Sequence, residues 1–196
     1  MTEYHVRRMS SPDWEQVPAV TLTHTGWLAP CAVTAKAQLC HSDTALFVRM
    51  EAVESQIRAE LSSPIDPVCE DSCLEFFLAP RADDSRYFNF EFNPLGNFYI
   101  GFGHEIPNRS RLLPLDAGQF DIRPFRTGRG WGITYRIPLS FLRQSMPECD
   151  FAGIADCNFY KCGDRTPVPH YLSWGKMSSE TPNYHRRRDF ARLVFE

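Results

Sequence analysis

The sequence predicts an all-β fold, an antiparallel β-sandwich of jelly-roll or immunoglobulin-like wiring with one or two short helices. Three observations carry that prediction. The run Tyr87-Phe88-Asn89-Phe90-Glu91-Phe92-Asn93 alternates aromatic and polar residues without a break, the period of a strand with one face in a core. Short alternating segments of the same kind recur along the chain between Pro, Gly, Asn and Asp residues. Only two stretches have helical character, and both are too short to serve as crossovers in a parallel sheet.

Taken in order, residues 32–39 alternate Val33, Ala35, Ala37 and Leu39 with polar neighbours, and residues 45–52 do the same with Leu46, Val48 and Met50. Residues 55–61 read as a short helix. Residues 73–78 set Leu74, Phe76 and Leu78 against Cys73, Glu75 and Phe77, and residues 87–93 follow as the clearest strand of all. Further strands are expected at 98–102, 120–124, 131–137, 153–161, 170–174 and 191–195. Residues 139–144 read as a helix of one or two turns, because Pro138 stands where a helix starts. The pairs 32–39 with 45–52 and 73–78 with 87–93 are joined by loops of about five to eight residues, which suits antiparallel hairpins. Residues 61–70 and 103–115 are long loops containing proline, of the kind that borders binding sites.

A chain of 196 residues with 43% hydrophobic content has material for one well-buried core, so residues 1–196 form a single domain with neither repeat nor low-complexity linker. The net charge is -3 and the longest arginine run is Arg186-Arg187-Arg188, which excludes a broad basic face for nucleic acid. No segment approaches the roughly 20 apolar residues of a membrane span, and residues 1–14 contain no apolar signal-peptide core. With Met1 as the natural start, a cytoplasmic location is expected. The seven cysteines are odd in number and most lie in hydrophobic stretches, so reduced, buried thiols are expected.

The polar face of residues 87–93 is the first candidate for function. Asn89, Glu91 and Asn93 stand in a row at roughly 7 Å intervals, comparable with the spacing of hydroxyls across a sugar ring. If residues 73–78 pair with this strand, Glu75 joins Glu91 on the same face, and carboxylates with amides suit vicinal hydroxyls. Asn158, Tyr160 and Lys161 at the end of one strand, Trp174 at the end of another, and Tyr184 and His185 before the closing strand supply rim residues and a stacking surface.

Other chemistries compete with this reading. Glu75 and Glu91 form a fallback catalytic pair for glycoside hydrolysis, with His185 as a further proton-transfer group, which requires about 5 to 5.5 Å or 6.5 to 9.5 Å between carboxyls. Cys157, Cys162 and His170 with Cys149 offer a zinc set, although Cys-x4-Cys lies outside the tight spacing of structural zinc ribbons. A scaffold that has kept the sandwich and lost its site is the third alternative. No phosphate-binding Gly-rich loop, Gly-x-Ser-x-Gly elbow or His-Glu-x-x-His motif occurs.

The order of several segments over residues 14–195 resembles a family 9 carbohydrate-binding module. These are Ser72-Cys73-Leu74-Glu75-Phe76-Phe77-Leu78, Glu91-Phe92-Asn93 with Gly96, Gly130-Trp131, Ile137-Pro138-Leu139, Leu172-Ser173-Trp174, Tyr184-His185 and Asp189-Phe190-Ala191-Arg192-Leu193-Val194-Phe195. The stretch Asn158 to Asp164 is similar to the free-standing bacterial members, within the sandwich domains related to DOMON. The resemblance implies binding of a mono- or oligosaccharide without cleavage, a link to glycan-degrading partner enzymes, and structural calcium, for which the acidic clusters at 66–71 and 83–84 offer oxygens. It also implies two tryptophans sandwiching a terminal sugar, with a glutamate, an asparagine and an arginine bonding its hydroxyls. Glu75 and Asn93 match the glutamate and asparagine. The first tryptophan falls near Cys69, the second at or near Tyr184, and the arginine at Glu91, so the sugar specificity of the family does not carry over.

Overall fold

A computed structural model describes residues 2–196. Its strands are β1 (Glu3–Arg8), β2 (Ala19–Thr21), β3 (His24–Thr25), β4 (Thr34–His41), β5 (Ala45–Val53), β6 (Cys73–Ala79), β7 (Tyr87–Phe92), β8 (Phe98–Gly103), β9 (Arg109–Arg111), β10 (Arg123–Thr127), β11 (Gly130–Pro138), β12 (Ile154–Cys162), β13 (Tyr171–Ser173) and β14 (Ala191–Phe195). A single α-helix, α1 (Leu139–Ser145), follows Pro138 as the sequence predicts.

Two sheets face each other. One runs β9-β8-β7-β6-β12-β14-β1, with β13 beside β12 and β3 beside β13; the other runs β10-β11-β5-β4-β1, with β2 beside β4. The hairpins expected of β4 with β5 and of β6 with β7 are present, with Thr34 opposite Val53 and Leu74 opposite Phe92. Strand β1 belongs to both sheets: Glu3 to Val6 pair with β14, and Arg7 and Arg8 with β4. Both pairings are parallel, so the sandwich is mixed and not wholly antiparallel as the sequence suggests. The N-terminal strand, of which only Tyr4 and Val6 are buried, joins the two layers into one continuous ribbon.

The core fills the space between the layers. Leu39, Val48, Met50 and Ile133 oppose Leu74, Phe76, Phe88 and Phe90, and the rings of Phe92 and Tyr135 meet across the gap with centroids 4.2 Å apart. Phe76 stacks on Phe159 at 4.9 Å, within the range of offset aromatic pairs. A second apolar cluster, built on Phe77, Tyr87, Tyr160, Tyr184 and Phe190, lies on the outer side of the β6–β7 sheet. Strands β6 and β7 are consequently buried on both faces, and their polar side chains point into a covered space.

Two sequence expectations fail for identifiable reasons. Residues 55–61 are not helical, because their backbone is held from outside: Glu60 and Leu61 N–H donate to Asp71 Oδ2, and Arg58 exchanges bonds with Ser72. Residues 120–124 are not one strand. Asp116 caps a 3-10 turn over Ala117–Phe120, Asp121 turns the chain with φ of 44°, and β10 begins only at Arg123. Among the described residues no helix is long and apolar enough to cross a membrane.

Candidate functional site

Cross-strand register assembles the site. Tyr160, Glu75, Glu91 and Tyr99 are successive direct partners across β12, β6, β7 and β8, so their side chains share the outer face of the sheet. Phe76, Phe90 and Phe159, one residue away on each strand, point into the core. Above the two glutamates lies a cavity of about 410 Å³. Its aromatic wall is Trp27, Tyr171 and Tyr184; the segment Thr181 to His185, together with Ile106, closes another side, and Cys69, Cys162 and Asp164 complete it. That volume is within the usual range of small-molecule pockets. A hollow of similar size, about 420 Å³, lies on the second sheet beside Lys36 and Glu51. That pair is already joined in an ion pair, and neither glutamate nor lysine there is deprived of a partner.

Glu75 is 3% exposed and Glu91 7%. Burial, and then the neighbouring Glu91, hold the Glu75 carboxyl well above the ordinary glutamate range, which favours its protonated form. Its Oε1 accepts a hydrogen bond from Cys162 Sγ at 2.9 Å. Burial raises Glu91 to about 7, against the opposing pull of Asn89, Arg109 and Arg111. Asn89 Nδ2 donates to Glu91 Oε1 at 2.6 Å, and the Arg109 guanidinium donates in turn to Asn89 Oδ1 while lying over the Tyr87 ring at 4.3 Å. Asp164 is also raised by burial. His185, pushed down to about 3 by burial and by Arg109, is neutral and pairs through Nδ1 with the Tyr87 hydroxyl at 2.9 Å. The cavity thus combines aromatic faces with carboxyl groups all shifted upward by burial, which can donate to and accept from a polyhydroxylated ligand.

The structure brings Glu75, Glu91, Tyr184 and His185 together, with Asn89 directly behind Glu91. It removes five other residues from the proposed contact set. Asn93 is a turn residue, whose amide donates to Leu61 O and Asp71 Oδ2 and accepts from Leu95 and Asn97 N–H. Asn158 is likewise engaged with Gly175 and with its neighbour Phe159. Tyr160 is fully buried and stacks under Tyr184 at 4.0 Å, so it supports the wall without lining it. Trp174 packs in the core, against Tyr4 and Phe159.

Lys161 faces the interior, one residue out of phase with Tyr160. Its Nζ lies 3.2 Å from Glu54 Oε2 and donates to His170 Nε2 at 2.7 Å and to Cys162 O. Because an ammonium only donates, His170 accepts at Nε2 and donates from Nδ1 to Val168 O at 2.8 Å.

Trp27 is the main residue that sequence reasoning misses. It stands in a Gly26-Trp27 turn with φ of 54°, its Nε1 donates to Ser179 O at 2.7 Å, and its ring sits 5.5 Å from Tyr171 and 5.6 Å from Tyr184. Cys69 lines the cavity where the resemblance places a first tryptophan, but the aromatic surface comes from Trp27 instead. The available signal was a tryptophan outside every alternating run, which the core does not explain.

The zinc set of Cys149, Cys157, Cys162 and His170 is dispersed: Cys149 and Cys157 lie in the core between the sheets, His170 pairs with Lys161, and Cys162 faces the cavity. The acidic clusters expected as calcium ligands are engaged within the chain. Asp83 and Asp84 pair with Arg81 and Arg86, Asp66 accepts from Ser63 N–H, and Asp71 holds Glu60, Leu61 and Asn93.

The model of carbohydrate-binding family 9 matches residues 11–195. A candidate carbohydrate-binding protein from Bacteroides uniformis ATCC 8492 superposes with a TM-score of 0.87 and 26% identity, over 99% of each chain. A family 9 carbohydrate-binding module from Caldicellulosiruptor kristjanssonii, solved with glucose, superposes at 0.66 with 16% identity, over 100% of this chain and 96% of that one. The same module with cellotriose gives 0.66 and 15%, over 100% and 94%. At those two identities the likeness is one of fold. No curated protein matches the chain by sequence.

Proposed function

The chain belongs to carbohydrate-binding family 9, and from that premise we propose that the cavity over Glu75 and Glu91 binds a mono- or oligosaccharide without cleaving it. The observation that carries the proposal is a pair of buried carboxyls at the base of an aromatic-walled cavity, on a fold that holds glucose and cellotriose in the Caldicellulosiruptor kristjanssonii module. Trp27 and Tyr184 offer apolar faces to the C–H surface of a sugar ring. Glu75 donates a hydrogen bond from its protonated carboxyl, and Glu91, positioned by Asn89, accepts one.

The placement of the carboxyls supports binding without hydrolysis. Glu75 and Glu91 are direct neighbours on one sheet face and approach a ligand from the same side. A glycosidase pair has to flank the scissile bond.

Calorimetry of the full chain with glucose, cello-oligosaccharides and a panel of other sugars tests the reading. Saturable binding is expected for at least one sugar, and Glu75→Gln is expected to lose it with the folded spectrum retained. A folded wild-type protein that gives no heat with any sugar at millimolar concentration would overturn it.

A further inference from the structure

We propose that Cys73, Cys162 and Glu75 form a binding site for a thiophilic divalent cation of the zinc type, at the floor of the cavity. Cys73 and Cys162 are direct partners across β6 and β12, and Glu75 lies two residues from Cys73 on the same face. Their two sulfurs and one carboxylate oxygen lie within 4.8 Å of one another. A tetrahedral zinc, with about 2.3 Å to sulfur and about 2.0 to 2.2 Å to oxygen, sets its ligand atoms roughly 3.5 to 3.8 Å apart. The cluster reaches that spacing by small side-chain rotations, the Cys162 to Glu75 contact opening from 2.9 Å.

Three further features separate this cluster from ordinary buried thiols. Cys149 and Cys157 pack in the core between the sheets, whereas Cys73 and Cys162, which belong to the outer apolar cluster, also face the Glu75 carboxyl. Among the described residues that carboxyl has a thiol, a weak donor, as its one hydrogen-bond partner, although it is almost wholly buried. A cation would satisfy it. The ligand set also has the chemistry of a cation that prefers sulfur, whereas calcium takes six to eight oxygens. Three protein ligands leave one tetrahedral position, which faces the cavity beside Cys69 and Asp164. Loading displaces the two thiol protons and the carboxyl proton into solvent, so the metal-loaded state and the state in which Glu75 donates to a sugar are alternatives.

Cobalt(II) added to the reduced, metal-stripped full chain is the probe. One equivalent is expected to give a thiolate-to-cobalt charge-transfer band and the visible bands of a tetrahedral ion, both removed by zinc. Cys73→Ser and Cys162→Ser are expected to lose the charge-transfer band, and Cys40→Ser and Cys149→Ser to keep it. X-ray absorption of the zinc-loaded wild type needs no variant and is expected to show two sulfurs with light-atom ligands. A chain without a saturable band, a band surviving in the Cys73→Ser/Cys162→Ser double variant, or a shell of four sulfurs would each overturn the proposal. No sugar enters these measurements, so their failure and a failure of saccharide binding are separable.

Discussion

Glu91 stands directly opposite Glu75 across the β6–β7 hairpin, and its nearness adds to the burial that raises the cost of ionising Glu75. A carboxyl pair is an unusual base for an apolar cavity, since two buried anions side by side are unstable without counter-ions. The chain relieves Glu91 through Asn89 and the arginines behind it, and Glu75 only through the weak Cys162 donor and the charge of Lys161. The protonated form is thereby the more favoured at Glu75, so the pair can set a donor beside an acceptor from a single residue type.

A pH dependence of stability follows from Glu91. Its folded-state value is about 7, against 4.5 for an unperturbed glutamate. Between those values the folded chain keeps a proton that the unfolded chain has lost, so stability falls as pH rises, by roughly 3 kcal/mol at most. His185 opposes this over part of the range, because its value is lowered to about 3 and the unfolded chain gains a proton first as pH falls. The difference between wild type and Glu91→Gln isolates the glutamate. Urea midpoints are expected to favour Glu91→Gln increasingly from pH 5 to pH 8; parallel profiles would contradict the assignment.

Trp27 is expected to contribute affinity and little stability. It is half-buried on a turn and packs edge-on against Tyr171, so removing it leaves the sandwich core intact. Trp27→Ala should weaken sugar binding about tenfold, close to 1.4 kcal/mol, through loss of one stacking face. Calorimetry and a melting curve on the same sample test both halves. A large fall in melting temperature with unchanged affinity would make Trp27 a cover for the hydrophobic cluster and nothing more.

How far the sequence discloses all this depends on whether a residue's role is local. Strands β6 and β7 were legible because a period-two pattern is a property of seven adjacent residues, and their pairing followed from one short loop. The same parity places Lys161 inward once Phe159 is taken as core, so that misplacement was avoidable. Residues 55–61 were not legible as irregular chain, since the bonds that hold them come from Asp71 and Ser72, more than ten residues away. Strand β1 is short and mostly polar, and its pairing with both β14 and β4 is visible only in three dimensions. Trp27 reaches the cavity through a contact with Ser179, a separation of 152 residues that no local pattern encodes.

Lys161 and Glu54 are expected to act on stability and not on sugar binding. Lys161→Met leaves Glu54 as a buried charge, still accepting from Ser72 and Trp131 but without its cation. Breaking one partner of such a pair costs about 3 to 5 kcal/mol. Adding Glu54→Gln should recover part of the loss, because the glutamine carries no charge and its carbonyl still accepts. Denaturant titrations of Lys161→Met, Glu54→Gln and the double variant form the test, and sugar affinity of the folded fraction should equal wild type. Reduced affinity in the double variant would put the interior network in communication with the cavity.

The positioning of Glu91 can be disturbed without touching either glutamate. Gly101 lies opposite Asn89, and a Cβ added there would stand 2.3 Å from Asn89 Oδ1 and 2.9 Å from the Tyr99 ring. Asn89 is fully buried and clamped between Glu91 and Arg109, so it cannot yield without breaking the bond that orients the carboxylate. Gly101→Ala is therefore expected to cost about 1 to 3 kcal/mol of stability by overpacking. It should also raise the Glu91 value further, by removing a donor to its anion, and weaken sugar binding about tenfold. Gly128→Ala, where an added Cβ meets nothing within 4 Å, serves as the matched control and should change neither quantity. If Gly101→Ala loses stability but binds sugar as wild type does, Glu91 does not contact the ligand, and recognition rests on Glu75 and the aromatic wall.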